Sequence, residues 1–144
     1  DYTLHLFATD AYLHAAPPIA SREDLRNQRF VGYIEEMIFA PGLDYLGEIH
    51  PAIRAHIKSS SIFNQLSAIR NGLGIGVLPY YIAVKYPELQ LILPDQVRLI
   101  RTYWLTCHRD IRTMRRERAL ISFLIDSISA RSRHLTGPGG EGRA

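Results

Sequence analysis

The chain has 144 residues, 47% of them hydrophobic and 22% charged, the balance of one folded domain with a real core, which excludes a disordered chain, a collagen-like repeat and a disulfide-bonded miniprotein. The net charge of +3 is too small to point to nucleic acid, and residues 101–118, with six arginines against Asp110 and Glu117, hold all of the excess, the rest of the chain being nearly neutral. The single cysteine, Cys107, excludes an intrachain disulfide and a multi-cysteine zinc site and fits a reducing cytoplasm; no run approaches the roughly eighteen apolar residues of a membrane span, and no signal-peptide pattern opens the chain. It starts without Met and enters at once into an apolar run, as a fragment cut in mid-fold would.

Leu4, Leu6 and Phe7 predict a short strand, after which Thr9 or Asp10 caps a helix over residues 11–15 that Pro17 and Pro18 stop. Ser21 is placed to cap a second short helix whose first turn holds Glu23 and Asp24, and residues 30–34 read as a strand. Between residues 35 and 51, Pro41, Gly42 and Gly47 break up the apolar residues into a loop with a short helix at 43–46. Residues 55–58 predict a strand, Ser59, Ser60 and Ser61 supply capping hydroxyls, and Ile62, Leu66 and Ile69 keep helical spacing up to Gly72, a left-handed helix end. A buried strand at 75–78 closes at Pro79, a helix over 80–86 ends at Pro87, and strands follow at 91–93 and, rich in β-branched and aromatic residues, at 97–107. The longest helix covers 115–129 with Leu120, Phe123, Leu124 and Ile128 on one face, and the glycine-rich end from Thr136 onward has nothing to bury. Strands alternating with helices over short connections define an α/β domain, whose ligands gather at the carboxyl ends of strands.

Few residues carry chemistry. Cys107 and His108 are neighbours on a predicted strand and point to opposite faces, so they form no thiolate–imidazole pair. His50 and His56 have no third ligand at metal spacing, and Glu35 and Glu36 diverge along an extended segment instead of flanking a substrate. Gly72, Gly74 and Gly76 stand between a helix and a strand, the reverse of a nucleotide-binding turn, and read as a close helix–sheet connection. The arginines at 109–118 lack interleaved aromatics and read as a solvated face. Ser59, Ser60 and Ser61 differ, because they follow a strand and open a helix: they serve as plain N-caps or as a small-anion site.

The succession from Ser59–Ser61 to Gly72-Leu-Gly-Ile-Gly-Val-Leu-Pro79, then Leu89-Gln-Leu-Ile-Leu-Pro94, Trp104-Leu-Thr-Cys-His108 and Arg116-Glu-Arg-Ala119 with Phe123 and Leu124 resembles LysR-type transcriptional regulators. Ala8-Thr-Asp-Ala-Tyr-Leu13, Pro17-Pro18 and Glu23-Asp-Leu25 are similar to the same family's entry into its second effector-binding subdomain. The resemblance spans nearly all of residues 1–130 and corresponds to the back half of the effector-binding domain. It implies a periplasmic-binding-protein-like α/β fold with a mixed, mostly parallel sheet flanked by helices: residues 1–7 as a crossover strand, 8–99 as the second subdomain, 100–130 as the return crossover strand and the last helix of the first subdomain, and 131–144 as a flexible tail.

The implied function is sensing of a small, anionic metabolite by a cytoplasmic bacterial regulator, a homo-oligomer (dimer or tetramer) that touches DNA only through an N-terminal domain outside this chain. Neither a membrane, a cofactor, a metal nor catalysis is implied. By the same carry-over Ser59, Ser60, Ser61, Ile62 and Phe63 line the effector cleft, with Tyr33 and Pro79 at neighbouring strand ends. A solute-binding protein of a transport system is the alternative, and an enzyme on a related scaffold is disfavoured for want of a workable residue set. Without the rest of the first subdomain, the 115–129 helix is expected to pack on a partner chain, rearrange or fray.

Overall fold

The computed structural model describes residues 1–38, 40–108 and 114–137. Its strands are β1 (Tyr2–Thr9), β2 (Phe30–Gly32), β3 (Ala55–Lys58), β4 (Ile75–Pro79), β5 (Leu89–Ile92) and β6 (Leu99–Arg101), and its helices α1 (Asp10–Ala15), α2 (Tyr45–Ile49), α3 (Ile62–Arg70), α4 (Tyr80–Ala83), α5 (Arg115–Ser129) and α6 (Ser132–Thr136). The six strands form one sheet in the order β3-β2-β4-β1-β5, with β6 also on β1. β2 runs parallel to β3 and β4, whereas β1 is antiparallel to β4, β5 and β6. The other strands therefore share one direction and β1 alone opposes them, which makes the sheet mixed and mostly parallel.

Side chains alternate across β1 and β4 as a strand requires. Leu4, Leu6, Ala8, Ile75 and Val77 join Leu25, Phe30 and Tyr45 on one face, while Phe7 and Leu78 meet Leu66, Ile69 and Ala83 of α3 and α4 on the other. Both faces are covered, and β1 is buried from Thr3 to Thr9. Thr3 and His5 alternate with Leu4 and Leu6 but are buried too, and they are hydrogen-bonded to Thr136 and to each other.

Local chemistry explains most boundaries. The Thr9 hydroxyl accepts from Tyr12 N and caps α1. Ser21 does not cap the next turn as expected: the Asp24 carboxylate accepts from Ala20 N, Ser21 N and the Ser21 hydroxyl, and the segment winds as a 3-10 turn, Glu23–Asn27. The Ser21 hydroxyl is spent as a donor to this carboxylate, and the Asp24 N–H that it could have capped donates to the Ser21 carbonyl instead. Glu35 and Glu36 likewise lie in a 3-10 turn, Glu35–Met37, and not on an extended segment, and the helix expected at 43–46 is α2, capped by Asp44.

Gly72 takes φ +71°, the left-handed end foreseen for α3. A Cβ at Gly74 would stand 2.6 Å from the Arg29 carbonyl, and one at Gly76 would fall on the Cδ1 of Ile69, so these two glycines exist for close helix–sheet packing.

α4 is shorter than the 80–86 expected, its continuation held by the Lys85 N to Ile82 O and Tyr86 N to Ala83 O bonds. The strand expected over 97–107 is regular only at β6, because β1 begins at Tyr2 and the ladder ends at the Tyr2–Arg101 pair. Cys107 and His108 accordingly sit outside any strand, and the Cys107 thiol is exposed.

α5 has the expected bounds, and none of its side chains is buried; Leu120, Phe123 and Ile128 are among the exposed apolar residues. Of the segment expected as a tail, Ser132–Thr136 forms α6, which packs on α4 and β1. The Thr3 hydroxyl donates to the Thr136 carbonyl at 2.7 Å in a buried contact. Residues 109–113 of the arginine cluster and 138–144 of the tail lie outside the described residues.

Candidate functional site

Five strands end along one rim of the sheet, and the antiparallel β1 begins there, as the Leu4–Pro79 and Tyr2–Arg101 pairs show. The order β3-β2-β4 puts three of these ends side by side: Lys58 leading into Ser59, Gly32 into Tyr33, and Pro79 into Tyr80. The residues singled out from the sequence are thus neighbours along one rim. Ser59 N donates to the Gly32 carbonyl at 3.0 Å, tying the β3 exit to the β2 exit.

The three serines divide their work. The Ser59 hydroxyl accepts from Ser61 N at 3.2 Å, while Ser61 holds the extended N-cap conformation of α3 without a side-chain cap bond. Ser60 and Phe63 are exposed, Ser59, Ser61 and Ile62 half-buried, and Pro79 is buried within β4. Gln65, which the sequence reading passed over, is 2% exposed in the first turns of α3 and donates from Nε2 to the Ser59 carbonyl at 2.9 Å. The signal was a polar residue set among Ile62, Leu66 and Ile69 on the buried stripe.

Beside these strand ends lies a half-open cavity of about 620 Å³, lined mostly by described residues between Tyr33 and Arg54 and within the range of small-molecule sites. Tyr33 is the one member of the sequence-derived set among its walls; Gly32, Tyr45, Arg54, Gln65 and Val77 contribute others. Tyr33 and Tyr45 meet edge to face, with ring centroids 5.8 Å apart, and burial pushes both phenols above the usual tyrosine value. A second hollow of about 490 Å³ lies away from the rim, near Tyr12, Arg29 and Asn71.

Tyrosines crowd this rim further along. Tyr2 stacks on Tyr103 at 4.4 Å and meets Tyr81 edge-on at 6.0 Å, and the Tyr81 and Tyr103 hydroxyls share a 2.7 Å hydrogen bond. Burial, then the neighbouring Tyr103 phenol, pushes Tyr2 up to about 12. Arg101 clamps β6 to the 42–48 segment: its guanidinium donates to the Gly42 carbonyl at 2.9 Å and to Glu48 at 2.5 Å, above the Tyr45 ring. Five of the chain's eight tyrosines meet in this region, an excess visible in composition but not in spacing.

The arrangement suits binding. Glu35 pairs with Lys58 at 3.3 Å, His50 with Glu23 at 3.3 Å, and His56 Nδ1 accepts from Phe30 N. Among the described residues no group of three or more His, Cys, Asp or Glu side chains is placed to hold a metal ion, and no helix is long and apolar enough to cross a membrane.

A family model, the LysR substrate binding domain, matches residues 1–129. Among solved structures, the regulatory domain of CrgA, a LysR-type transcriptional regulator from Neisseria meningitidis, is similar at TM-score 0.65 and 20% identity, over 88% of this chain and 64% of that one. The longer CrgA structure gives 0.64 and 22%, over 89% of this chain and 45% of that one. Full-length AphB, a virulence activator of Vibrio cholerae, gives 0.61 and 21%, over 87% and 44%. The chain thus spans less than two thirds of each, and at these identities the likeness establishes the fold. No curated protein matches the sequence.

Proposed function

The chain belongs to the LysR substrate binding domain family, and on that premise we propose that it is the effector-sensing part of a LysR-type transcriptional regulator. In this reading a small molecule binds at the strand-end rim and changes how two subdomains sit relative to each other. That change biases a DNA-bound homo-oligomer, dimer or tetramer, in the cytoplasm, with DNA held by an N-terminal domain outside this chain. β1 and the stretch that begins at Arg101 are the crossings between subdomains, residues 8–99 the second subdomain, and α5 the last helix of the first. The Tyr2–Arg101 pairing of β1 with β6 supports the two crossings. The family match favours this over a transport protein of the same architecture, and the role requires no catalytic residue.

The observation that carries the reading is the convergence of the β2, β3 and β4 exits beside a roomy cavity. Ser59, Ser60, Ser61, Ile62 and Phe63, with Tyr33 and Pro79, are the proposed contacts on the rim. Ser60 is exposed and the Ser61 hydroxyl makes no cap bond, so Ser60→Ala with Ser61→Ala leaves the fold intact. In the full-length regulator this pair of changes weakens effector binding; unchanged affinity in a calorimetric titration moves the site off the α3 turn.

A further inference from the structure

The cavity walls hold three charged side chains, and they are not equivalent. Glu35 is paired with Lys58, and the Asp44 carboxylate accepts from Gly47 N at the start of α2. Arg54 is the cation of the set, and among the described residues no carboxylate pairs with it. Four other basic side chains, Arg26, Lys58, Arg70 and Arg101, each have one.

The Arg54 guanidinium is nevertheless fixed. Its Nη1 donates to the Pro51 carbonyl at 2.6 Å and to the Ile53 carbonyl at 2.7 Å, two acceptors from its own loop. Such anchoring reduces the side-chain entropy lost on binding and keeps the planar fork oriented. With Nη1 committed, Nε–H and Nη2–H remain as the adjacent donor pair that matches a carboxylate in bidentate geometry. About half of the surrounding wall is apolar, from Ile38, Leu43, Leu46, Ile53 and Val77, with the Tyr33 and Tyr45 rings among them.

We infer that Arg54 is the carboxylate anchor of this cavity and that its ligand is a monocarboxylate with an apolar or aromatic body. The inference rests on the sensor reading and deepens it. One anionic group answers the single cation of the cavity wall, whereas a second would face Glu35 or Asp44 and be repelled. An apolar body gains from leaving water for these walls, and an aromatic one adds edge contacts with the two tyrosines.

The test is a titration of the whole 144-residue chain with phenylacetate and with phenylacetamide, which share a shape and differ in charge, read by calorimetry. Wild type binds phenylacetate about tenfold or more tightly than the amide, the scale of a charge-assisted pair. Arg54→Gln abolishes that preference. Arg54→Lys retains part of it, and Arg29→Gln, at the second hollow, leaves it whole. A preference that survives Arg54→Gln overturns the anchor and leaves the sensor reading standing. If wild type takes neither probe at millimolar concentration, the anchor falls, while the sensor reading, which the family match carries, stands.

Discussion

Replacing Thr3 by Val tests how the C-terminal helix is held to the sheet. Thr3 is 1% exposed, and its hydroxyl both donates to the Thr136 carbonyl at 2.7 Å and stands 3.2 Å from Nε2 of His5. The hydroxyl has one proton, already given to Thr136, so His5 must be the donor in the second bond, with Nε2 protonated. Valine keeps the shape, leaves no cavity and orphans two buried groups, the Thr136 carbonyl and His5 Nε2–H.

At about 1–3 kcal/mol for each group, the cost is about 2–6 kcal/mol if α6 stays docked. Detachment of this five-residue helix caps that cost and turns it into local opening. Urea denaturation reads the first route. Hydrogen exchange at Leu135 N and Gly137 N, which donate to the Arg131 and Arg133 carbonyls, reads the second, with a rise of about tenfold or more as the expected result. A stability loss below about 0.5 kcal/mol together with unchanged exchange at both amides would refute the argument.

Three other outcomes follow from the same structure. Gly76→Ala drives its Cβ into Ile69 and costs about 1–3 kcal/mol in chemical denaturation, and adding Ile69→Val, which removes the Cδ1, recovers part of it. His5 is held below its ordinary 6.5 first by burial and then by Arg98, so the unfolded chain takes up this proton before the folded one does. Stability is therefore level above about pH 6.5 and declines as pH falls toward the folded value, a slope that His5→Gln removes; a flat profile down to about pH 5 counts against a neutral buried imidazole. In an alkaline absorbance titration Tyr2 ionises near 12, and Tyr103→Phe brings it down; no change after that substitution means burial alone sets the value.

The parts of the fold legible in the sequence are those set by local chemistry. β3 and α5 have the bounds that strand composition and helical periodicity predict, and Gly72 ends α3 in the left-handed conformation. What could not be read depends on partners far along the chain. Thr102, Tyr103 and Trp104 have strand-forming side chains, yet β6 ends at Arg101, where its neighbour begins. The reversal of β1 within an otherwise one-way sheet has no local signature either.

At the site, the strand-end rim was legible from helix and strand order, and Tyr33 came with it. The cavity was not, because its walls come from a segment whose winding depends on one carboxylate at Asp44 and on the long-range clamp from Arg101. Gln65 and Arg54 were missed for a related reason. A polar residue on an apolar stripe and a cation without a carboxylate partner become visible only when the neighbours are known.

The reversed strand also orders events during synthesis. β1 leaves the ribosome ahead of its ladder partners β4, β5 and β6, which lie roughly 70–100 positions later, so this region has a high contact order. Until residue 101 has emerged, this strand, buried from Thr3 to Thr9 in the finished sheet, is a largely apolar segment with open hydrogen-bonding edges, the kind of stretch that recruits other chains or chaperones. Premature termination before β4 would leave a product that carries that segment with no native strand to pair it.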